Sequence, residues 1–167
     1  MSPEFANDLV RLVPRLRRFA LGLCGNAHDA DDLVQAACER ALKNEAAFCR
    51  GSRMDSWMYR IIQNLWLDTR RRSKVRGTAV DPLEAGLDDE GRGARTAEDK
   101  MLLSYVLEQM DRLPEAQRVV LTLVAVEGLS YREVAEILEI PMGTVTSRLV
   151  RAREALATSL SPRAAAQ

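Results

Sequence analysis

A cluster of arginine, serine and threonine side chains near the end of the chain has the chemistry of a DNA-contacting surface. An arginine can donate two parallel hydrogen bonds to the edge of a guanine, while serine, threonine and further arginines hold phosphates. The candidates for such contacts are Arg132, Thr144, Thr146, Ser147, Arg148 and Arg151. Their types and spacing favour an element that presents several of them along one helix face.

Two short helices joined by a tight turn would position these side chains. Ser130 and Glu133 form a capping-box pattern at the start of the first helix. Pro141 ends that helix, because proline disfavours helical geometry in the residue before it. The second helix would turn four apolar residues inward, namely Val145, Leu149, Ala152 and Leu156. Residues 128–153 therefore predict a helix-turn-helix, whose second helix enters the major groove of DNA. The alternative is a helical hairpin with a solvated basic face.

The composition favours a small all-α protein. The chain has 167 residues, of which 47% are hydrophobic, 29% charged and 5% aromatic, enough for one domain or two small ones. The formal net charge of zero argues against indiscriminate nucleic-acid binding. No apolar run approaches the roughly 18–20 residues that span a bilayer, and no secretory signal is apparent. We expect no membrane insertion and a cytoplasmic location.

Cysteine and histidine usage argues against a metal site or an enzyme. Cys24, Cys38 and Cys49 are widely spaced, and His28 is the one histidine in the chain, which leaves no zinc-ligand pattern. No P-loop, dinucleotide-binding glycine motif or nucleophile–histidine set is present. We expect no metal, no cofactor and no catalytic residue. The cysteines are expected to be buried free thiols, since their spacing does not support a redox-sensing pair.

Two helices are predicted in the first part of the chain. In the first, Pro14 interrupts an apolar pattern, so we expect a kink or a new helix start there. In the second, Asp29 is the expected N-cap, and apolar residues recur at helical spacing up to Leu42. Its polar side chains, Asp31, Asp32, Gln35, Glu39 and Lys43, are left for an outer face. From the pattern alone, that face is ordinary solvated surface.

A third helix is predicted over residues 56–73, and it is basic and aromatic. Residues 57–76 contain six basic side chains and one acid, Asp68, together with Trp57 and Trp66. Aromatic rings among cations suit single-stranded DNA, whose bases stack while its phosphates meet arginine. The alternative is that the two tryptophans fill the core.

A change of composition separates this part of the chain from the helix-turn-helix. Residues 81–99 carry seven acids and two arginines, and glycines are frequent from Gly77 to Gly93. This composition predicts a flexible acidic linker between two small domains. The predicted division is a first domain over residues 1–74, a linker over 75–97, a second domain over 98–160 and a disordered tail over 161–167.

Three segments resemble the extracytoplasmic-function (ECF) sigma factors of the bacterial sigma-70 family. They are IPMGTVTSRLVRAREAL, DADDLVQAACERAL and the pattern W-x-Y-R-I-x-x-N-x-x-x-D-x-x-R-R. The resemblance implies that the helix-turn-helix reads the −35 promoter element. It implies core RNA polymerase contacts, with the β′ clamp helices and the β flap, in which Asp31, Asp32, Gln35 and Arg40 take part. For the −10 element, it implies recognition and melting by Arg53, Trp57, Tyr59, Arg60, Asn64, Arg71 and Arg72.

The resemblance also implies a mechanism and a regulator. In this family the loop before the third helix holds an extruded base, which places residues 50–54 at that pocket, and binding of the displaced strand offsets the few kcal/mol of extrusion. The acidic linker resembles a segment that runs near the RNA exit path, with a plain tether as the alternative. An anti-sigma factor is an expected partner. Thr146 departs from the lysine or arginine that is common in the family, which predicts a different −35 preference.

Other functions explain less of the chain. An independent helix-turn-helix regulator would account for residues 128–153 but not for the other two segments. A purely structural helical adapter would account for none of them.

Overall fold

The structure is a computed structural model that describes residues 2–76 and 96–161. All regular structure in these two ranges is helical, as the all-α prediction required. The first domain consists of α1 (Pro3–Cys24), α2 (Ala27–Lys43), a 3₁₀ turn (Glu45–Ala47) and α3 (Met54–Arg76). The second consists of α4 (Ala97–Asp111), α5 (Glu115–Leu121), a π-helical segment (Thr122–Val126), α6 (Tyr131–Leu138) and α7 (Met142–Leu160).

The three helices of the first domain pack around one apolar core. Leu16, Phe19, Ala37, Met58 and Ile62 are wholly buried in it. Burial of side chains of this size is the main favourable term in folding, at roughly 25 cal/mol per Å² of apolar surface. The core fixes the rotation of α2 and α3, and thereby decides which of their polar side chains face outward.

Three details of these helices differ from the sequence prediction. Asn26, not Asp29, is the N-cap of α2, and its side chain accepts a hydrogen bond of 2.9 Å from the Asp29 backbone N–H. Helix α3 is longer than residues 56–73 at both ends. Helix α1 continues through Pro14 without a new start. Pro14 is exposed there, and buried Leu9 and Leu16 hold the helix against the core on either side.

The aromatic side chains of the first domain lie in the core or against it, and not on the outer surface. Trp66 is 4% exposed, so of the two alternatives for this residue the structure shows the one in which it fills the core. Trp57 is half-buried and lies 5.3 Å from Phe48 and 6.1 Å from Phe5, measured between ring centroids. Phe5 is itself 7% exposed, so the N-terminal residues belong to the fold of the first domain.

The second domain is built around α5, the π-helical segment and α7. Val120, Leu123, Val134 and Val145 are wholly buried in it. The backbone leaves this centre at Gly128, whose φ of +69° is favourable for glycine. The helix that begins with α5 is apolar, and its last turn widens to i→i+5 hydrogen bonding.

Most of the predicted linker and tail lies outside the described residues. Of the linker, residues 77–95 are not described. Val75 and Arg76 belong to α3, Thr96 is the N-cap of α4, and Ala97 is the first residue of α4. Of the tail, residues 162–167 are not described.

The cysteines are only partly as expected. Cys24 and Cys38 are half-buried and Cys49 is exposed, and none of them is in a disulfide. Burial raises the pKa of the Cys24 thiol to about 12. Within residues 2–76 and 96–161, no group of three or more potential ligands is arranged to hold a metal ion. No helix in the same ranges is long and apolar enough to cross a membrane.

Candidate nucleic-acid and polymerase interface

The helix-turn-helix is formed by α6, a turn and α7. The Ser130 hydroxyl accepts from the Glu133 backbone N–H, and the Glu133 carboxylate accepts from the Ser130 backbone N–H at 2.8 Å. This is the predicted capping box. Glu139 takes the left-handed conformation, with φ of 54°, and ends α6. Helix α7 then begins at Met142, directly after Pro141.

Helix α7 buries one face and exposes the predicted DNA-contacting face. Val145, Leu149 and Ala152 are buried against the rest of the domain. All six predicted −35 side chains are at least partly exposed: Arg132, Thr146, Ser147 and Arg151 are exposed, and Thr144 and Arg148 are half-buried. In the described part of the chain, Arg148 and Arg151 have no hydrogen bond or ion pair, so both guanidinium groups are available to a ligand.

The predicted polymerase-contacting side chains are exposed on α2. Asp31, Asp32, Gln35 and Arg40 are all exposed. Asp31 accepts two hydrogen bonds from Arg17 of α1, at 2.7 and 3.0 Å. Exposed pairs of this kind contribute about 0–1 kcal/mol, so this face is held by the helix and not by its own ion pairs.

The predicted −10 side chains are not equally accessible. Asn64, Arg71 and Arg72 are exposed along α3. Arg53, directly before α3, pairs with Asp55 of α3 and with Glu133 of the second domain. Arg60 donates to the Ile137 carbonyl at 3.1 Å and pairs with Glu139 at 2.9 Å. The structure therefore brings two of the predicted DNA-contacting arginines against the second domain.

Tyr59 is not a surface residue in this arrangement. Its side chain is wholly buried, its ring packs edge-on to Phe19 at 4.9 Å, and its hydroxyl donates a 2.7 Å hydrogen bond to Glu127. Burial, followed by the Glu127 hydrogen bond, raises the pKa of Tyr59. In this arrangement Tyr59 lies at the boundary between the two domains and is not accessible to DNA, so its contact with the −10 element stays a prediction that requires the boundary to open.

Two buried charged residues at this boundary were not found from the sequence. The Glu127 carboxylate is wholly buried and also accepts from Arg18 at 3.1 Å. The Arg118 guanidinium is 1% exposed and donates to the Gly22 carbonyl at 2.8 Å and to Asp111 at 2.5 Å. Neither residue stands in a recognisable motif. A charge inside an apolar stretch, such as Glu127 after Thr122–Val126, is the one signal that could have indicated them.

Comparison with known proteins decides the family. The Sigma-70 region 2 model matches residues 9–76, and the Sigma-70 region 4 model matches residues 103–156. The ECF RNA polymerase sigma factor EcfG of Rhodopseudomonas palustris is 36% identical over 166 residues, which are 96% of this chain and 87% of that protein. The chain belongs to the ECF sigma factors. SigW of Bacillus subtilis is 35% identical over 83% of this sigma factor and 79% of its own length.

A solved structure supports the same assignment for the fold of this sigma factor. The sigma factor RpoE of Bartonella quintana, in complex with the anti-sigma factor NepR, superposes with a TM-score of 0.77 and is 26% identical. The match covers 95% of this sigma factor and 98% of RpoE. The sigma factor's region 2 match contains all of α2 and α3, and its region 4 match contains α6, the turn and all but the last four residues of α7.

Proposed function

We propose that this sigma factor binds core RNA polymerase through the exposed face of α2 and directs it to promoters through α3 and α7. The observation that carries the proposal is the presence, in one chain, of both sigma regions, with the predicted contact side chains of α2 exposed and those of α7 at least partly exposed. The polymerase face consists of Asp31, Asp32, Gln35 and Arg40. A protein with these three faces acts by positioning DNA on another enzyme, without a catalytic residue of its own, and acts in the cytoplasm where that polymerase works.

Recognition of the −35 element is assigned to α7, with support from α6. Arg148 and Arg151 are three residues apart and therefore share a helix face, and both are unpaired in the described residues. We assign base-edge contacts to these two arginines. Thr144, Thr146 and Ser147 would hold phosphates from the same helix, and Arg132 would approach the DNA backbone from α6.

Recognition and melting of the −10 element are assigned to α3 and the loop before it. Trp57 is half-buried beside that loop, and its ring would stack on an unstacked base. Arg60, Arg71 and Arg72 supply positive charge along α3, and Arg53 supplies it from the residue before the helix. Asn64 is exposed between them and can donate and accept hydrogen bonds. Tyr59 would join them only after the two domains separate.

An anti-sigma factor is the proposed regulator. The match to RpoE bound to NepR spans both domains of this chain, which supports a similar arrangement of the domains in the two proteins. We infer that a partner of this class holds the present sigma factor in the same arrangement until a stress signal removes the partner.

DNA capture with and without core polymerase tests the proposal. The tagged chain is incubated with fragmented genomic DNA, alone or with core polymerase, and the retained fragments are sequenced. We expect strong enrichment of a shared pair of upstream elements only when polymerase is present. Enrichment of one short operator by the chain alone, unchanged by polymerase, would contradict the proposal and indicate an independent helix-turn-helix regulator.

A further inference from the structure

The buried carboxylate of Glu127 belongs to the second domain, but its partners belong to the first. It accepts a hydrogen bond from the Tyr59 hydroxyl at 2.7 Å, lies 3.1 Å from Arg18 Nε, and lies 3.6 Å from Arg15 Nε. Within the described residues, its side chain has no hydrogen-bond or ion-pair partner in its own domain. A carboxylate is stable away from water only when it is paired. The buried position of Glu127 therefore requires the two domains to be packed against each other, which we call the closed arrangement.

A close backbone contact lies beside this charge. Arg118 of the second domain donates to the Gly22 carbonyl of α1. A Cβ atom at Gly22 would lie 2.5 Å from Thr122 Cγ2 and 3.5 Å from Thr122 Cβ. While residue 122 is threonine, a side chain at residue 22 would meet its methyl carbon in the closed arrangement. The contact is thus specific in shape as well as in charge.

The closed arrangement occupies side chains that promoter DNA would need. Arg60 of α3 donates to the Glu136 and Ile137 carbonyls at the C-terminal end of α6 and pairs with the Glu139 carboxylate. The Arg53 guanidinium pairs with the Glu133 carboxylate. Helix C-terminal carbonyls and carboxylates carry negative charge, and therefore offer an arginine the same kind of partner as a phosphate does.

A second group of cations on α3 is neutralised in the same way. Lys74 lies 2.8 Å from the Glu115 carboxylate of α5, and Arg70 Nε lies 3.4 Å from the same carboxylate. The acids of the second domain thus follow the basic helix along much of its length.

We propose that the packing of the two domains is an autoinhibitory contact within this chain, in which the second domain takes the place of −10 DNA on α3. The Glu127 carboxylate makes the central contact between the domains. The inference rests on the proposed function, since it assumes that α3 binds the −10 element. It is selective. Arg148 and Arg151 remain accessible in the closed form, so the −10 contact is blocked while the −35 helix stays exposed. Core polymerase must separate the domains before the −10 element is bound.

A disulfide across the boundary tests whether opening is required. The 3.5 Å separation between a Cβ at residue 22 and Thr122 Cβ lies within the disulfide range. The variant Gly22→Cys with Thr122→Cys is made in a full chain in which Cys24 and Cys38 are replaced by alanine and Cys49 by serine. Run-off transcription with core polymerase is then measured for the oxidised and reduced protein, with the cysteine-free parent as the control.

We expect the oxidised protein to give at least twentyfold less transcript than the reduced protein, and dithiothreitol to restore it. Equal transcription by the two forms, with the disulfide verified by mass spectrometry, would overturn the autoinhibitory contact and leave the proposed function intact. Absence of transcription by the wild type, the parent and the reduced variant alike would overturn the proposed function and the inference with it.

Substitutions that open the contact provide the converse test. Glu127→Gln removes the central charge, and Gly22→Ala places a methyl group against Thr122. The matched control is Glu136→Gln, which removes an equal charge from α6, where the Glu136 carboxylate pairs only with Arg132 in the described residues. The free full-length proteins are compared by small-angle scattering and by binding to a single-stranded oligonucleotide carrying the −10 sequence.

We expect Glu127→Gln and Gly22→Ala to expand the free chain and to increase oligonucleotide binding at least fivefold, with no change for Glu136→Gln. Adding Thr122→Ser, which removes the methyl carbon that the new methyl group would meet, should restore the compact form to the Gly22→Ala variant. Wild-type compactness and binding in both opening variants, when circular dichroism shows them to be folded, would overturn the inference.

Discussion

Arg148→Ala is the substitution that tests −35 recognition most selectively. The guanidinium group makes no hydrogen bond or ion pair in residues 2–76 and 96–161 and is half-exposed, while neighbouring Leu149 is 1% exposed in the core. Removing a side chain with no structural partner changes folding stability by about 0.5 kcal/mol or less. A loss of function can therefore be attributed to a lost DNA contact.

The expected magnitude follows from the chemistry of the contact. A base-reading arginine contributes about 1–3 kcal/mol of discrimination, which is about a 5- to 150-fold change in relative affinity, at 1.4 kcal/mol for each factor of ten. If Arg148 instead held a phosphate, binding to all sequences would weaken alike and the salt slope would fall by about one. The two roles are thus distinguishable in one titration series.

The assay is fluorescence anisotropy of holoenzyme on promoter fragments in which each −35 base pair is changed in turn. Arg153→Ala is the matched control, because Arg153 is exposed on the same helix but lies roughly 140° around it from Arg148. We expect Arg148→Ala to abolish the preference at one base pair and Arg153→Ala to leave every preference unchanged. An unaltered pattern of preferences in Arg148→Ala, with normal thermal stability, would refute the assignment.

Three further predictions concern the other faces and the fold. The double variant Asp32→Asn, Gln35→Ala should weaken binding to core polymerase about 5- to 30-fold without a change in melting temperature, and normal holoenzyme assembly in a competition assay would contradict the α2 assignment. Ser130→Ala should destabilise the second domain by about 1 kcal/mol through loss of the α6 cap, measured by urea unfolding, with exposed Ser147→Ala as the control. The hydrogen bond from Lys74, and after it the contact with Arg70, lowers the pKa of Glu115 in the folded protein. Glu115 therefore stabilises the closed form at pH values above the pKa that the group has in the unfolded chain. This contribution is lost as the pH falls through the lower pKa of the folded protein. Scattering should therefore show opening below about pH 4 with a Glu115 contribution that is absent in Glu115→Gln, and identical acid titrations of the two proteins would contradict this.

Local signals in the sequence predicted most of the helices. Ser130 and Glu133 fix the start of α6, and the apolar spacing of Val145, Leu149 and Ala152 fixes the buried face of α7, because both depend on residues within one or two turns. The Asp29 prediction failed by three residues, because Asn26 is an equally good cap and one sequence does not decide between adjacent candidates.

The contact between the domains could not be predicted in this way. Glu127, Arg118 and Gly22 lie far apart in sequence, and their roles depend on burial against a partner that no local pattern specifies. The same contact accounts for the burial of Tyr59 and Trp66. The hydroxyl of Tyr59 meets a carboxylate 68 residues further along the chain, and the Trp66 ring lies 5.9 Å from the Arg118 guanidinium carbon. Long-range pairing of this kind is visible only in the folded chain.

The most direct test of the central claim is run-off transcription with core RNA polymerase on fragmented genomic DNA, with and without this protein, followed by mapping of the RNA 5′ ends. We predict new discrete start sites that appear only with the protein and that share sequences near −35 and −10. A set of start sites identical with and without the protein, when the protein is shown to be folded and the polymerase active with another sigma factor, would contradict the account.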